Sequence, residues 1–163
     1  MDTLIARVQR ALEQLTDPEI PVLSLRELGV LREVRAGTDG LEIVLTPTYS
    51  GCPAMDQIEQ DVRAKLCELG VAARITRQLV PAWSSDWLGA EARRKLSAAG
   101  IAPPQAPAAN ATLRFVAPGA SPPSCPRCGS TRTVQTAAFG STACKALYKC
   151  LACGEPFDYF KPY

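Results

Sequence analysis

Seven cysteines and no histidine occur among the 163 residues, and the spacing of four of the cysteines points directly to a chemistry. Cys125 and Cys128 form one Cys-x-x-Cys pair, Cys150 and Cys153 form a second, and 21 residues separate the pairs. Each pair can bend into a tight turn that aims both sulfurs at one ion, helped by Pro126 and by Gly129 and Gly154 just beyond. Two such turns on neighbouring hairpins complete a tetrahedral thiolate site, the closed geometry of structural zinc. A module of this size has little core of its own, so bound metal supplies its folding free energy. "TRTVQTAAFG" and "KALYK" read as the strands of a zinc ribbon. Zinc is the preferred ion, with iron or an iron–sulfur cluster as the alternative. A redox-active disulfide within either pair would lack the βαβ surroundings that such motifs use.

Two further cysteines carry weaker signals. Cys144, six residues before Cys150, has three readings: a fifth thiol near the ribbon, an alternative ligand, or a small buried hydrophobe, the commonest fate of a free cysteine. Cys67, in "KLCELG", falls about half a turn from the apolar stripe of its helix and reads as incidental.

Cys52 differs from all of these. It sits in "TPTYSGCPAM", residues 46–55, where a strand ends, a tight loop follows and a helix begins. The pattern places Cys52 at the helix N-cap with Pro53 at the first helical position, where a missing N–H costs nothing. Unpaired amides and the positive end of the helix dipole would there favour the thiolate, the form that a nucleophile or soft-metal ligand requires. The alternative is a cysteine that merely caps a Gly-Cys-Pro turn.

The absence of histidine excludes a Ser–His–Asp triad, a Cys–His pair and the Glu-x-x-His ligand sets of di-iron bundles. Hydrophobic residues make up 47% and charged residues 21%, which suits a packed globular core. The apolar runs fall short of the roughly 20 residues that a bilayer-crossing helix needs. "MDTLIARVQRALEQL" is amphipathic from its start rather than a charged apolar leader, so the expected location is cytoplasmic, where thiols stay reduced. The net charge of +2 is unevenly spread. Residues 1–101 hold 12 basic and 14 acidic side chains, and residues 102–163 hold 6 and 2. That mildly basic stretch could touch nucleic acid or an acidic partner, but four net charges over 62 residues is a weak signal.

The elements that must position these groups follow from periodicity. Leu4, Ile5, Val8, Ala11, Leu12 and Leu15 share one helical face, with Pro18 ending the helix near Thr16. "DPEIPV" is a constrained loop, and "SLRELG" a helical turn closed by Gly29. The alternating runs "VLREV" and "LEIVLT" form a hairpin. Met55, Ile58, Val62, Leu66 and Leu69 stripe the next helix, which Gly70 ends. A strand in "VAARITRQLV" and a helix in "SSDWLGAEARRKLSAAG" complete the order helix, hairpin, helix, strand, helix. An amphipathic helix pair on one face of a small mixed sheet is the simplest closed solution. The expected fold is α+β at residues 1–101, then a linker at 102–124 with six prolines, then a four-cysteine zinc-ribbon module at 125–163.

"DPEIPVLSLRELGVLREV" followed by "LTPTYSGCPAM" resembles the domain of SufT-type iron–sulfur cluster assembly factors. The likeness rests on Asp17, Pro18 and Glu19, on Leu28 and Gly29, and on Thr46, Thr48, Gly51, Cys52 and Pro53, and covers about residues 1–80. Pro47 and Tyr49 depart from it, standing where smaller polar residues are usual. The whole chain, ending "FGSTACKALYKCLACGEPFDYFK", is similar to the PaaD-type accessory subunits of the bacterial phenylacetyl-CoA epoxidase. The resemblance implies a non-catalytic maturation factor whose partners are the oxygenase and reductase subunits of that enzyme. It implies Cys52 as a transient ligand of iron or an iron–sulfur cluster, Asp17 as a hard ligand or loop organiser, and Thr48 as the group that orients the Cys52 loop. Asp17 read alone is also the cap of the turn that follows it. Two rival readings remain: a thiol-dependent enzyme using Cys52, which lacks an evident base, and a ribbon that binds nucleic acid or a general protein partner.

Overall fold

The computed structural model describes residues 2–38, 40–105 and 121–163, and by contacts the chain divides into two compact units, 1–83 and 84–163. It bears out an α+β fold with small mixed sheets.

In the first unit, α1 (Asp2–Leu12) precedes an antiparallel hairpin of β1 (Leu31–Gly37) and β2 (Gly40–Leu45), then α2 (Ala54–Glu68) and β3 (Ala73–Arg77). The strand order is β1-β2-β3, with β3 parallel to its neighbour β2. The helical crossover from β2 through α2 is what a parallel pair requires. Burial of Val8 and Leu12 on α1, of Ile43 and Leu45 on β2, and of Met55, Ile58, Val62 and Leu66 on α2 forms the core. Leu69, at the end of the expected stripe, is only partly buried.

Two local departures have clear causes. Helix α1 ends at Leu12, because the chain at Leu15 and Thr16 is drawn into pairing with Leu25 and Ser24. The hairpin runs further than the alternating runs indicated, to Gly37 opposite Gly40. There the exposed pair Arg35 and Glu42, 2.8 Å apart, lies directly across the strands.

In the second unit, a 3-10 turn (Ser85–Trp87) and α3 (Ala90–Ala98) lead to β4 (Ile101–Ala102), followed by β5 (Thr133–Ala137), β6 (Lys145–Cys150) and β7 (Pro156–Phe160) in the order β4-β7-β6-β5. The division after Trp83 differs from the boundary near residue 101 that composition suggested. Its reason is hydrogen bonding. Ile101 and Ala102 pair with Asp158 and Tyr159 along the edge of β7, and the Ser85 amide donates to the Tyr163 carbonyl at 3.1 Å. Arg93 donates to the carbonyls of Leu88, Ser85 and Pro104, tying the last helix to this sheet. Of the expected linker at 102–124, residues 106–120 lie outside the described residues.

Candidate functional site

The two Cys-x-x-Cys segments fold into the same turn. In the first, the Cys125 amide donates to the Ser130 carbonyl at 2.9 Å and the Gly129 amide donates to the Cys125 carbonyl at 2.8 Å. In the second, Cys150 and Glu155 repeat the former bond at 2.9 Å, and Gly154 and Cys150 the latter at 2.9 Å. Closing each turn puts Gly129 at φ 72° and Gly154 at φ 80°, the left-handed region where a Cβ is disfavoured. Pairing of Thr133 with Cys150 then brings the turns together.

The Sγ atoms of Cys125, Cys128, Cys150 and Cys153 all lie within 4.8 Å of one another. Cys125 and Cys153 are 3.8 Å apart, and Cys128 and Cys150 are 3.6 Å apart. A tetrahedron with zinc–sulfur bonds of about 2.3 Å has edges of about 3.8 Å, so the arrangement fits a four-thiolate ion. Sulfurs this close cannot all ionise unaided. Amides of Cys153 and Ala152 pull Cys150 down to about 6. The Ser130 amide favours the Cys128 thiolate, yet its sulfur neighbours, Cys150 foremost, push Cys128 up to about 12. A divalent cation removes that conflict. Arg127 and Glu155 form an exposed ion pair between the two turns.

Cys144 is outside this group. It is buried just before β6, with its sulfur 2.9 Å from the Thr142 hydroxyl, at the far end of the strand from Cys150. Cys67 is exposed on α2.

Around Cys52, burial and carboxylates rather than other thiols set the balance. Helix α2 starts at Ala54, with Pro53 as the cap residue at φ −69° and ψ −21°, so Cys52 stands one residue before the cap rather than at it as expected. Its thiol receives the Ala54 amide and contacts the Thr48 side chain, and both favour the thiolate. Burial outweighs them and raises the thiol above its ordinary value, with the carboxylates of Asp17 and Glu19 adding to the rise. The acidified thiol expected from the helix terminus is therefore corrected: desolvation, with two nearby anions, exceeds the Ala54 amide and the Thr48 side chain.

Asp17 is 6% exposed, and its Oδ1 accepts the amides of Glu19 and Ile20, each at 2.9 Å. It thus shapes the loop while its charge reaches Cys52. Thr48 is buried. Two features escaped the sequence reading: the influence of Glu19 on Cys52, and the Thr46 hydroxyl, buried with no hydrogen-bond partner among the described residues. The Asp-Pro-Glu and Thr-x-Thr patterns were the signals that contained them.

Comparison with known proteins matches both halves. The iron–sulfur cluster assembly protein family matches residues 5–75, and the PaaD zinc beta ribbon domain matches residues 111–161. A crystal structure of a domain of unknown function, DUF59, from Bacillus anthracis shares 26% identity at a TM-score of 0.53, over 58% of this chain and 92% of that one. The fold and the sulfur cluster thus define an iron–sulfur assembly-type domain joined to a zinc-ribbon module. A protein of Escherichia coli (strain K12) assigned as one of the subunits of a 1,2-phenylacetyl-CoA epoxidase is 45% identical over 92% of this chain and 88% of the relative. The chain belongs to this PaaD family. A Fe-S protein maturation auxiliary factor of Porphyromonas gingivalis is 37% identical over 55% of this chain and 87% of its own length. No helix among the described residues is long and apolar enough to cross a membrane.

Proposed function

We propose that this protein is a non-catalytic maturation factor for the phenylacetyl-CoA epoxidase, acting on an iron–sulfur or di-iron centre of its oxygenase or reductase subunits. The observation that carries the reading is the Cys52 corner, a half-buried thiol contacting Thr48 within electrostatic reach of Asp17 and Glu19. The sulfur is one soft ligand, and the negative charge of Asp17 and Glu19 around it favours a cation in transit without enclosing it. The proton that burial keeps on the thiol leaves when the cargo binds and returns when it departs. Thr48 orients the sulfur. Asp17 keeps its loop in place and faces the cargo with its charge.

The four-cysteine group is the resident site. Cys125, Cys128, Cys150 and Cys153 would hold zinc, whose role is to supply the folding free energy of the module. The names of the relatives support the accessory role. A nucleophilic enzyme reading is disfavoured because a thiol pushed toward its protonated form beside two anions lacks the activation that attack requires. The test is co-expression of the oxygenase and reductase subunits with wild-type protein or with Cys52→Ser, reading iron per partner subunit. Iron loading should fall with the variant. Equal loading would reduce Cys52 to a turn residue.

A further inference from the structure

Thr46 is the first residue beyond β2, and the sheet fixes its backbone. Its amide donates to the Val30 carbonyl at 2.8 Å, and the Leu45 carbonyl before it accepts the Gln78 amide at 2.8 Å. Pro47 follows, which holds Thr46 to an extended conformation. The residue is 1% exposed, and its hydroxyl is buried with no hydrogen-bond partner among the described residues. A buried hydroxyl left unpaired carries its full desolvation penalty. Valine has the same shape without that penalty and is at least as good a strand former. Folding alone therefore favours valine here.

Alternation along an extended chain puts buried Leu45 and Pro47 on one side and Thr46 and Thr48 on the other. Thr48 is itself buried, and its side chain contacts the Cys52 thiol. The unpaired hydroxyl thus stands two residues behind the one that touches the sulfur, on the same side of the chain. A hydroxyl has one hydrogen to give and two lone pairs to accept with. While Cys52 keeps its proton, the Thr48 oxygen can accept it. A metal-bound sulfur has no proton, so Thr48 must then turn its own hydrogen to the sulfur. Its oxygen is left as the acceptor that Thr46 lacks.

We infer that Thr46 is a positioning residue for the loading of Cys52. As iron replaces the thiol proton, which passes to water, the Thr46 hydroxyl donates to Thr48 and Thr48 donates to the sulfur. Hydrogen bonds in series strengthen one another, so the loaded sulfur is held in one orientation. The resting corner leaves one hydroxyl unmet and loading meets it, which tilts the exchange toward the loaded state. This inference deepens the maturation reading and rests on it for the cargo.

The test co-expresses the oxygenase and reductase subunits of a phenylacetyl-CoA epoxidase with the full chain or its variants. It reads iron per partner subunit beside the thermal melt of each variant. Thr46→Val removes an unpaired group, so it should melt higher than wild type by about 4 °C or more. It should nonetheless load roughly three- to tenfold less iron. Thr46→Ser keeps the hydroxyl and gives up a buried methyl, so it should melt lower yet load as wild type does. A merely structural residue would move stability and loading together. Thr46→Val combined with Thr48→Val should load no less than Thr48→Val alone, as links of one chain do. Normal loading or a lower melt for Thr46→Val, or an additive loss in the double variant, overturns the hydrogen-bond chain. Cys52→Ser still failing to load would then leave the maturation reading standing. Normal loading with Cys52→Ser overturns that reading and this inference together.

Discussion

The ribbon and the Cys52 corner each place cysteine beside glycine and proline in a tight turn, yet different surroundings set the sulfur chemistry of each. At the ribbon, two copies of one turn aim amides at sulfurs that crowd one another, so Cys150 falls to about 6 while Cys128 is pushed up to about 12. At the corner, burial and the carboxylates of Asp17 and Glu19 raise the thiol. One site is prepared for an ion that stays. On the proposed function the other keeps its proton until cargo binds, so binding there would be coupled to proton release. The difference shows that a turn motif alone does not set thiol chemistry: the surrounding charge and solvent do.

The comparison breaks first at the ribbon. Cys125→Ser should abolish binding of about one equivalent of zinc and unfold the second unit while the first keeps its helical signal. Structural zinc contributes about 10–16 kcal/mol in small modules, so this is the largest expected effect. Metal analysis with circular dichroism decides it, and a two-iron cluster spectrum that vanishes in the variant would replace zinc with iron.

Cys52→Ser should leave the fold and the zinc content unchanged, yet remove iron loading of the partner, because a neutral hydroxyl is a poor soft-metal ligand. Cys67→Ser and Cys144→Ser should load normally.

Smaller effects sharpen the contrast. At pH 7 Cys52 should alkylate more slowly than exposed Cys67, and its rate should rise with pH past the ordinary cysteine value of about 8.5. Asp17→Asn keeps the loop's hydrogen-bond acceptor but removes a charge that raises the thiol, so its alkylation profile should move to lower pH. Because the native thiol sits above its unfolded value, its contribution to stability is present below the unfolded value and is lost as pH rises through the native one. Metal binding at Cys52 should strengthen with pH over the same range. Last, Arg127→Ala should change stability by about 0–1 kcal/mol, since its pair with Glu155 is solvent-exposed. A thermal melt reads the difference.

What could be read from the chain was local. The α2 stripe, the hairpin and the four-cysteine spacing depend on neighbours a few residues apart, and each matches the structure. What could not be read depends on distant partners. β4 is two residues long and exists because β7 offers it an edge. β7 itself, Pro156–Phe160, buries Phe157, Tyr159 and Phe160, which breaks the strict alternation of a surface strand. The thiol's sign escaped because Asp17 and Glu19 lie more than 30 residues away in sequence, and burial is a property of the packed core.

The pairing of β4 with β7 has a topological consequence. The proline-rich stretch leaves the sheet after Ala102 and rejoins it near Pro123, whose carbonyl accepts the Thr133 hydroxyl at 2.7 Å, while Gln105 donates to Pro122 at 3.2 Å. Gln105 and Pro122, on either side of residues 106–120, are therefore held in the same unit, so that stretch does not join one unit to the other; the covalent junction between the units is the peptide bond from Trp83 to Ser84.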